Sequence, residues 1–600
     1  MGMNIIEKIL ADHSQAGKAE PGDILDVEID TRVARDFGGA NVVKNIREHG
    51  LGIADPGKTF FTFDCNPTGS DQKYTANQQI CRVFAREHGI RVYDINRGIG
   101  THILIEEGLV YPGATAVSTD SHANLLGAVG AFGQGMGDKD MAAVWSNGSI
   151  WFRVPESVRL VINGMFPDGV SAKDIVLCLL SRFGTHTFLG KCLELQGEAV
   201  DGLSLDKRIT IASMGTEMGA LTILMPPNRD VITYCESRVS RKIDPVYAAP
   251  DARYAVKIEM AAEEFTRMVS RPGKPHDAVP LDKVRGTRVD SVFIGSCTNG
   301  RMEDMRAAAA VLEGKKVADG VVLKIVPSTD RIWNMCLEEG LMEKFKDAGA
   351  LVSNPGCAGC AAGQVGQNGP GEVSVSSGNR NFPGKQGQGE IYLASPEIAA
   401  ASAISGVITS PDQLFEAPVK RAPVREIRKT GPAKAIRRER PVEFTGRAWY
   451  IPRDDIDTDM IFHNRHLAIT DIGEMGQHAF GNLEGFEKFA LEASKGDIVF
   501  AGKNFGAGSS RQQAVDCFKS LGVACIVAES FGSIYERNAI NAAFPILTSA
   551  DIRDLEIRTG DLVSANIKSG KIVNLNNRKS IQANPFSGIQ MEIYQNGGLF

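Results

Sequence analysis

The sequence predicts an α/β protein in which helices connect the strands of parallel sheets. Short runs rich in β-branched residues, such as Ser291–Ile294, 321–326 and Ile498–Ala501, alternate with stretches of helical length, such as 303–313 and 511–521. This alternation is typical of parallel strands joined by crossover helices. At 600 residues the chain is too long for one hydrophobic core, so several domains are expected.

Composition and charge are those of an ordinary globular protein. Apolar residues make up 43% and charged residues 23%, and the net charge is −6, which argues against a nucleic-acid-binding protein. The apolar runs are short, typically like 175–180 (IVLCLL), whereas a membrane span needs about 20 apolar residues. Residues 1–17 have the pattern of an amphipathic helix and lack that of a signal peptide. We therefore expect a cytoplasmic protein without a membrane partner.

A basic, proline-containing stretch divides the sequence into a large and a small part. Residues 416–442 contain nine Lys or Arg residues between Lys420 and Arg440 and no sustained apolar period, which is typical of a linker. Solvation, or packing against an acidic surface, accounts for this charge better than nucleic-acid binding. The predicted domains are therefore 1–415, with three α/β subdomains, and 443–600.

Three of the eleven cysteines stand in glycine-rich turns after predicted strands. Cys297 lies in IGSCTNGR after Ser291–Ile294, and Cys357 and Cys360 lie in NPGCAGC after 350–352. Such turns let backbone N–H groups approach thiolate and sulfide ligands. Three thiolates suit an iron–sulfur cluster or a zinc site, and the C-x-x-C pair alone could also be a redox pair. No fourth cysteine or histidine stands nearby, which argues against structural zinc, and an odd number of cysteines argues against a disulfide framework.

Five motifs together resemble the aconitase and isopropylmalate dehydratase superfamily. They are GSCTNGR, the C-x-x-C of NPGCAGC, NRNFPGK at 379–385, DSH at 120–122 and GKNFGAGSSR at 502–511. Residues 20–415 are similar to the large subunit of that superfamily, and 443–600 to its small, swivelling subunit. The resemblance implies three α/β/α domains around an iron–sulfur cluster, with a C-terminal swivelling α/β domain fused in the same chain.

The resemblance also implies which residues form the site. A [4Fe–4S] cluster would be held by Cys297, Cys357 and Cys360, and its fourth iron would bind the substrate's hydroxyl and one carboxylate. Ser509 would remove the substrate proton, and Arg511 would stabilise the alkoxide or bind a carboxylate. Two further substrate contacts would be Ser510 and Arg380. Taken alone, Ser509 or Ser510 could instead cap a helix, and an arginine could form a surface ion pair.

The sequence departs from the superfamily at two of three expected carboxylate–histidine pairs. The pair Glu217 and His122 is kept, and His122 is the candidate acid that protonates the departing hydroxyl. In the other two pairs the acids remain but the histidines do not: Asp64 is followed by Cys65, and near Asp120 the histidine position holds Thr101, with His102 one residue later. His102 could swing into the vacant place beside Asp120, which would leave the chemistry unchanged.

Two further departures concern carboxylate recognition. Lys385 stands where the superfamily has arginine, and it offers a point charge in place of a planar fork. In the loop 464–470 (NRHLAIT), Arg465 precedes His466, which replaces a tyrosine, and Ala468 stands where a substrate-sensing arginine is usual. Arg35 could supply a compensating charge.

These observations predict an iron–sulfur hydro-lyase that dehydrates and rehydrates a small hydroxy-polycarboxylic acid, with a non-standard substrate. The alternatives are a housekeeping aconitate hydratase or 3-isopropylmalate dehydratase, an RNA-binding or regulatory homologue, and a zinc or redox protein built on the same cysteines. The intact cysteines, Ser509 and Arg511 favour catalysis. The sequence indicates neither the substrate nor the oligomeric state.

Overall fold

The structure is a computed structural model that describes residues 2–68, 71–361, 363–414, 440–467 and 469–599. The predicted linker lies mostly outside the described residues, as does Ala468. The described chain forms two compact units. The first contains 2–39, 53–135 and 147–414, and the second contains 40–52, 136–146 and 440–599.

The strands are short and, in chain order, run as follows: β1 (Ile24–Glu28), β2 (Thr31–Arg35), β3 (Thr59–Thr62), β4 (Arg91–Tyr93), β5 (Thr115–Ser118), β6 (Phe132–Gly135), β7 (Ser149–Arg153), β8 (Ser157–Asn163), β9 (Cys192–Gln196), β10 (Thr222–Leu224), β11 (Val256–Ala261), β12 (Met268–Ser270), β13 (Ala278–Pro280), β14 (Ser291–Ile294), β15 (Val322–Ile325), β16 (Leu351–Val352), β17 (Val373–Ser376), β18 (Glu390–Leu393), β19 (Glu443–Ile451), β20 (Ile498–Ala501), β21 (Cys525–Ala528), β22 (Ile546–Thr548), β23 (Leu562–Asn566), β24 (Lys571–Asn574) and β25 (Ser580–Gln582).

The α-helices lie between these strands: α1 (Ile5–Asp12), α2 (Gly39–Glu48), α3 (Gln72–His88), α4 (Gly100–Glu106), α5 (Asp138–Asn147), α6 (Ala172–Phe183), α7 (Glu198–Asp201), α8 (Leu205–Ser213), α9 (Arg229–Val239), α10 (Met302–Leu312), α11 (Asp330–Glu338), α12 (Leu341–Ala348), α13 (Pro396–Ser405), α14 (Thr458–Ile461), α15 (Phe489–Glu492), α16 (Gln513–Leu521), α17 (Ser533–Asn541) and α18 (Gly588–Asn596).

Three sheets of the first unit are mainly parallel. One is ordered β4-β3-β2-β5-β6 and another β10-β9-β8-β11, and all their neighbouring strands are parallel. The third is ordered β13-β12-β18-β17-β14-β15-β16, and only its β13-β12-β18 edge is antiparallel. β1 and β7 form a separate antiparallel pair. The predicted α/β fold class is therefore confirmed.

Local sequence explains how the helices of the first unit begin and end. Ser171 and Asp174 form a capping box at the start of α6, so two otherwise unpaired N–H groups are bonded. α13 has Ser395 as its N-cap and Pro396 as its first residue, and Gly406 ends it in the left-handed conformation. The apolar faces of α6 and α8 are buried in one core with strands β8 and β9.

The second unit is built on one mixed sheet ordered β22-β21-β20-β19-β23-β24-β25. The strands from β22 to β19 are parallel, and those from β19 to β25 are antiparallel. Two short segments from the first third of the sequence, 40–52 and 136–146, also belong to this unit. In one of them, buried Asp140 forms an ion pair with Arg537, whose Nε lies 3.1 Å from Asp140 Oδ1, and accepts a hydrogen bond from Asn541 Nδ2.

None of the described helices combines the length and the apolar character needed to cross a membrane.

Candidate active site

The three cysteines singled out by the sequence lie at one edge of one sheet. Cys297 follows β14, and Cys357 and Cys360 follow β16. Both strands are parallel to β15, which lies between them, so their carboxyl ends meet at the same edge. The backbone is unusual there, since Ser296 and Ala358 have φ of +80° and +46°. This geometry brings the cysteine-bearing turns together.

Cys297 and Cys357 are buried and Cys360 is half-buried, and the charges of these thiols affect one another. Burial raises the pKa of Cys297 well above its usual range, and the charges of Cys357 and Cys360 raise it further. Burial also raises the pKa of Cys360 to about 11, although the charge of the buried Lys385 opposes this. A hydrogen bond from Cys65 lowers the pKa of Cys357, and Arg35 acts in the same direction.

Unpaired amides beside the thiols fit a metal–sulfur group. The thiol of Cys297 donates to Asn379 Oδ1 at 3.5 Å, while Asn379 Nδ2 is buried and has no partner among the described residues. Gln386 lies against Gly359, in the Cys357–Cys360 turn, and within the described chain neither atom of its buried amide is hydrogen-bonded. Buried N–H donors of this kind are costly unless they are satisfied, and inorganic sulfide would accept from them.

Arg35 connects two acids with one of the cysteines. It is the last residue of β2, and its buried guanidinium donates from Nε to Asp64 Oδ1 at 2.7 Å and from Nη2 to Cys357 Sγ at 2.8 Å. Its Nη1 lies 3.1 Å from Asp120 Oδ1. Burial raises the pKa of Asp64 to about 6, although Arg35 opposes the shift. Burial alone would also raise the pKa of Asp120, but the charges of Arg35 and His122 outweigh burial and lower this pKa.

The retained carboxylate–histidine pair is complete and includes an arginine. His122 Nε2 lies 3.1 Å from Glu217 Oε1, and Arg380 Nε donates to the same oxygen at 2.6 Å. Burial alone would raise the pKa of Glu217, but His122 and Arg380 together lower it to about 2. The structure therefore holds three chemically complementary groups, an imidazole, a carboxylate and a guanidinium, in one buried cluster.

His102 does not take the place beside Asp120. Its Nε2 bonds instead to the backbone carbonyl of Cys297 at 2.9 Å. Burial lowers the pKa of His102 to about 3, and Arg301 contributes in the same direction. Thr101 is also buried, and its hydroxyl has no hydrogen-bond partner in the part of the chain that the structure describes. His102 therefore supports a cysteine loop as a neutral side chain.

Ser509 and Arg511 lie in the second unit, in the loop that follows β20. Arg511 is buried, donates to Phe462 O at 2.8 Å and pairs with Asp459, and its Nη2 lies 3.4 Å from Ser509 Oγ. The N-cap of α16 is Gln512. The alternative that Ser509 or Ser510 caps this helix is therefore wrong, because the helix begins later than the sequence predicts.

The remaining predicted contacts of the second unit lie after α14. Arg465 is exposed, and its backbone N–H donates to His463 Nδ1 at 3.1 Å. The ring of His466 stacks on that of His478, with centroids 3.9 Å apart and planes inclined by 11°. Ser510 Oγ is buried, and no described residue bonds to it.

Two supporting residues were missed by the sequence analysis. Asp36 is fully buried and accepts from the backbone N–H groups of Cys65 and Asn66, both at 3.0 Å. Lys173 is also fully buried and donates from Nζ to the carbonyls of Ser377 and Gly378 at 3.1 and 2.6 Å, just before Arg380. Two features of the sequence could have indicated them. Asp36 is an acid that directly follows Arg35 at the end of a strand, and Lys173 is a lysine at the start of a mostly apolar helix.

Comparison with known proteins identifies the family. The sequence profile of the aconitase family (aconitate hydratase) matches residues 7–406, and that of the aconitase C-terminal domain matches 485–550. The chain belongs to the aconitase family. It is an iron–sulfur hydro-lyase of the aconitase and isopropylmalate dehydratase type, as the sequence predicts.

Curated relatives match about two thirds of this aconitase-family chain. A 3-isopropylmalate dehydratase large subunit from Methanopyrus kandleri is 40% identical over 415 residues, which is 68% of this chain and 99% of the relative. A probable large subunit from Methanothermobacter thermautotrophicus is 39% identical over 418 residues, 69% of this chain and 100% of the relative. A solved 3-isopropylmalate dehydratase from Methanocaldococcus jannaschii is 36% identical, covers 26% of this chain and 90% of its own, and has a TM-score of 0.25.

Proposed function

We propose that the enzyme dehydrates and rehydrates a small hydroxy-polycarboxylic acid and that Cys297, Cys357 and Cys360 hold a [4Fe–4S] cluster. The observation that carries this proposal is the meeting of the three cysteine-bearing turns at one sheet edge, beside Asn379, whose Nδ2 has no hydrogen-bond partner among the described residues. When bound, the cluster would supply a Lewis-acidic iron that makes hydroxide a feasible leaving group. We also propose the division into a large-subunit region, 1–415, a linker, 416–442, and a swivelling domain, 443–600.

Two cationic side chains would bind the carboxylates of the substrate. Arg380 uses Nε to bind Glu217, which fixes the plane of its guanidinium. Buried Lys385, near Cys360, would provide a second positive charge without the geometry of a fork. Arg35 is committed to Asp64, Asp120 and Cys357, so we assign it a role in holding the site together in addition to its charge.

Two residues would transfer the protons of the reaction. We assign the proton on the substrate carbon to Ser509 Oγ, because Arg511 Nη2, at 3.4 Å, would stabilise the resulting alkoxide. We assign protonation of the departing hydroxyl to His122, because it is the retained histidine of the predicted pairs and the Glu217 carboxylate, 3.1 Å from its Nε2, would hold the imidazole in place. His102 is bonded to a backbone carbonyl and has a lowered pKa, so it is a poor acid at neutral pH.

The experiment is anaerobic reconstitution followed by iron and sulfide analysis, an absorbance spectrum and a substrate panel. The panel contains citrate, isocitrate, homocitrate, isopropylmalate, citramalate, malate and dimethylmalate. We expect four irons and four sulfides per chain and turnover of at least one acid other than citrate. A chain that binds only zinc, or a loaded chain that dehydrates none of these acids, would contradict the proposal. Isopropylmalate is the second candidate substrate, because the curated relatives are named for it.

A further inference from the structure

The proposed mechanism leaves one buried charge of the first unit unused, that of Lys173. This residue lies in the first turn of α6 and is fully buried. Its Nζ donates to the backbone carbonyls of Ser377 and Gly378 at 3.1 and 2.6 Å and contacts Met214 Sδ at 3.8 Å. Among the described residues no carboxylate forms an ion pair with it. A buried ammonium with only neutral partners costs free energy, unless an anion nearby compensates its charge.

The start of α6 fixes the position of this lysine. Ser171 and Asp174 form the capping box of the helix, and Asp174 Oδ1 also accepts from the backbone N–H of Met268, in β12, at 2.8 Å. Burial lowers the pKa of Lys173 to about 8, so most of this ammonium is charged at neutral pH. Since β12 belongs to the sheet that carries the cysteine-bearing turns, the helix holds a positive charge against that sheet.

The two carbonyls that Lys173 binds belong to the segment that follows β17. The N–H of Ser377 donates to the carbonyl of Phe293, in β14, at 2.9 Å. The Oγ of Ser377 accepts from the N–H of Gly295 at 2.9 Å and donates to the carbonyl of the same residue at 3.2 Å. Gly295 stands two residues before Cys297. Lys173 therefore holds a segment that is also bonded to the chain leading into one cysteine-bearing turn.

The next two residues of this segment belong to the proposed site. Asn379 Oδ1 lies 3.5 Å from Cys297 Sγ, and Arg380 Nε donates to Glu217 at 2.6 Å. The side chains of Asn379 and Arg380 are both buried. The Gly378 carbonyl is part of the peptide bond to Asn379, so a shift of this carbonyl would move the amide beside the thiol and the guanidinium together.

We propose that Lys173 is a positioning residue of the active site. Through the two carbonyls it holds Asn379 beside the proposed cluster and Arg380 in place for a substrate carboxylate. Its charge also compensates the negative charge of a cluster held by three thiolates and that of the substrate. These anions would explain why the ammonium is buried without a carboxylate partner. The inference rests on the proposed function.

The test compares full-length chains that are reconstituted anaerobically and measured at pH 7. Lys173→Met and Lys173→Gln remove the charge, and Lys173→Arg keeps it. The matched control is Lys519→Met, because Lys519 also donates from Nζ to a backbone carbonyl, that of Ala542 at 2.7 Å, which is not part of the proposed site.

Three properties are measured for each protein. Iron and sulfide analysis gives the cluster content, and steady-state kinetics gives kcat and KM for the acid that the substrate panel identifies. EPR spectra recorded during a redox titration give the reduction potential of the cluster. A role of Lys173 in folding alone would change neither the KM nor the potential of the protein that folds and binds the cluster.

Both neutral variants should lose roughly 10- to 100-fold in kcat/KM, mainly through a higher KM, because Arg380 is displaced. Their reduction potential should fall below that of the wild type, because a positive charge near the cluster favours the added electron. Lys173→Arg should keep the wild-type potential and recover most of the KM. Lys519→Met should match the wild type in both properties.

The proposal is overturned if the neutral variants keep the wild-type KM or the wild-type potential, or if Lys173→Arg shows the same fall in potential. Failure of both neutral variants to fold would also overturn it, because Lys173 would then be needed for folding and not for positioning. A loaded wild type that dehydrates none of the acids contradicts the proposed function instead, and the potentials alone then decide on Lys173. A wild type that binds no cluster overturns both proposals.

Discussion

The Glu217 carboxylate accepts a hydrogen bond from Arg380 Nε at 2.6 Å, so the proposed substrate-binding arginine is held by a buried acid. The same oxygen lies 3.1 Å from His122 Nε2. One buried charge thus positions both a carboxylate-binding group and the proposed proton donor. Removing this charge should therefore affect substrate binding and proton transfer together.

Glu217→Gln is expected to lower kcat/KM by about one to two orders of magnitude, because a charge-assisted hydrogen bond is worth about 1.5–3 kcal/mol. The loss should appear in KM through Arg380 and in kcat through His122, while iron content stays normal. Steady-state kinetics on the identified substrate checks this. The control is Glu198→Gln, an exposed glutamate of the same unit, which should behave like the wild type.

Replacing Cys297, Cys357 or Cys360 by Ser should remove cluster and activity together. The reason is that each would supply a thiolate to the proposed cluster at the sheet edge formed by β14, β15 and β16. Iron and sulfide analysis with the absorbance spectrum measures this loss. Cys336→Ser, at a buried cysteine in the helix α11, is the control and should retain the cluster. Normal activity in any of the three cluster variants would refute the ligand assignment.

Ser509→Ala should reduce turnover by roughly 10²–10⁴-fold, the usual contribution of a positioned general base. Folding and iron content should not change, since Ser509 Oγ belongs to the second unit and the cysteines to the first. Turnover of the loaded protein is the measurement, and Ser520→Ala in α16 is the control. Turnover within a factor of two of the wild type would show that another group is the base.

Citrate should not have the highest specificity constant in the panel. Cys65 and Thr101 are smaller than imidazole and leave room for a different substituent, and Lys385 lacks the bidentate geometry that arginine offers a carboxylate. Lys385→Arg should therefore improve the ranking of tricarboxylates relative to the wild-type order. The measurement is kcat/KM for each acid with both proteins. If citrate or isocitrate is best with the wild type, the substrate prediction is wrong.

The free energy of unfolding should carry a pH dependence from Asp138. Burial raises the pKa of Asp138 from 3.8 to about 7, although a hydrogen bond from Asn41 opposes the shift. Between pH 3.8 and 7 the folded state therefore binds more protons than the unfolded state, and the contribution of this group to stability falls as pH rises. The full difference is on the order of 4 kcal/mol.

Asp138→Asn removes this titration and keeps an acceptor for Asn41. The melting temperature of the variant relative to the wild type should therefore rise as pH increases from 4 to 8. Thermal unfolding of both proteins at several pH values measures the difference between their melting temperatures. The titrations of all other groups are common to both proteins and cancel in this difference. A difference independent of pH would contradict the raised pKa.

Motifs in the sequence were sufficient to predict the fold class and the family, because each strand, glycine-rich turn and cysteine is encoded locally. The partners of Arg35 could not be predicted in this way. Asp64, Asp120 and Cys357 are 29, 85 and 322 residues away in the chain, and they meet only when the carboxyl ends of two sheets come together. The contact of His102 with the Cys297 carbonyl was missed for the same reason, because hydrophobic periodicity does not indicate which buried carbonyl a side chain reaches.

Residues 40–52 and 136–146 lie in the first third of the sequence but belong to the second unit. Expressing the large and small parts of this polypeptide as two separate proteins would therefore remove both segments from the second unit. A fragment that begins at residue 443 would lack Asp140 and leave buried Arg537 without that carboxylate. Removing one partner of a buried ion pair typically costs about 3–5 kcal/mol. The fragment alone should therefore be less stable than the same residues in the intact chain. A peptide containing 136–146, supplied separately, should restore part of the lost stability. The linker in the sequence is therefore not the boundary between the two compact units of the folded protein.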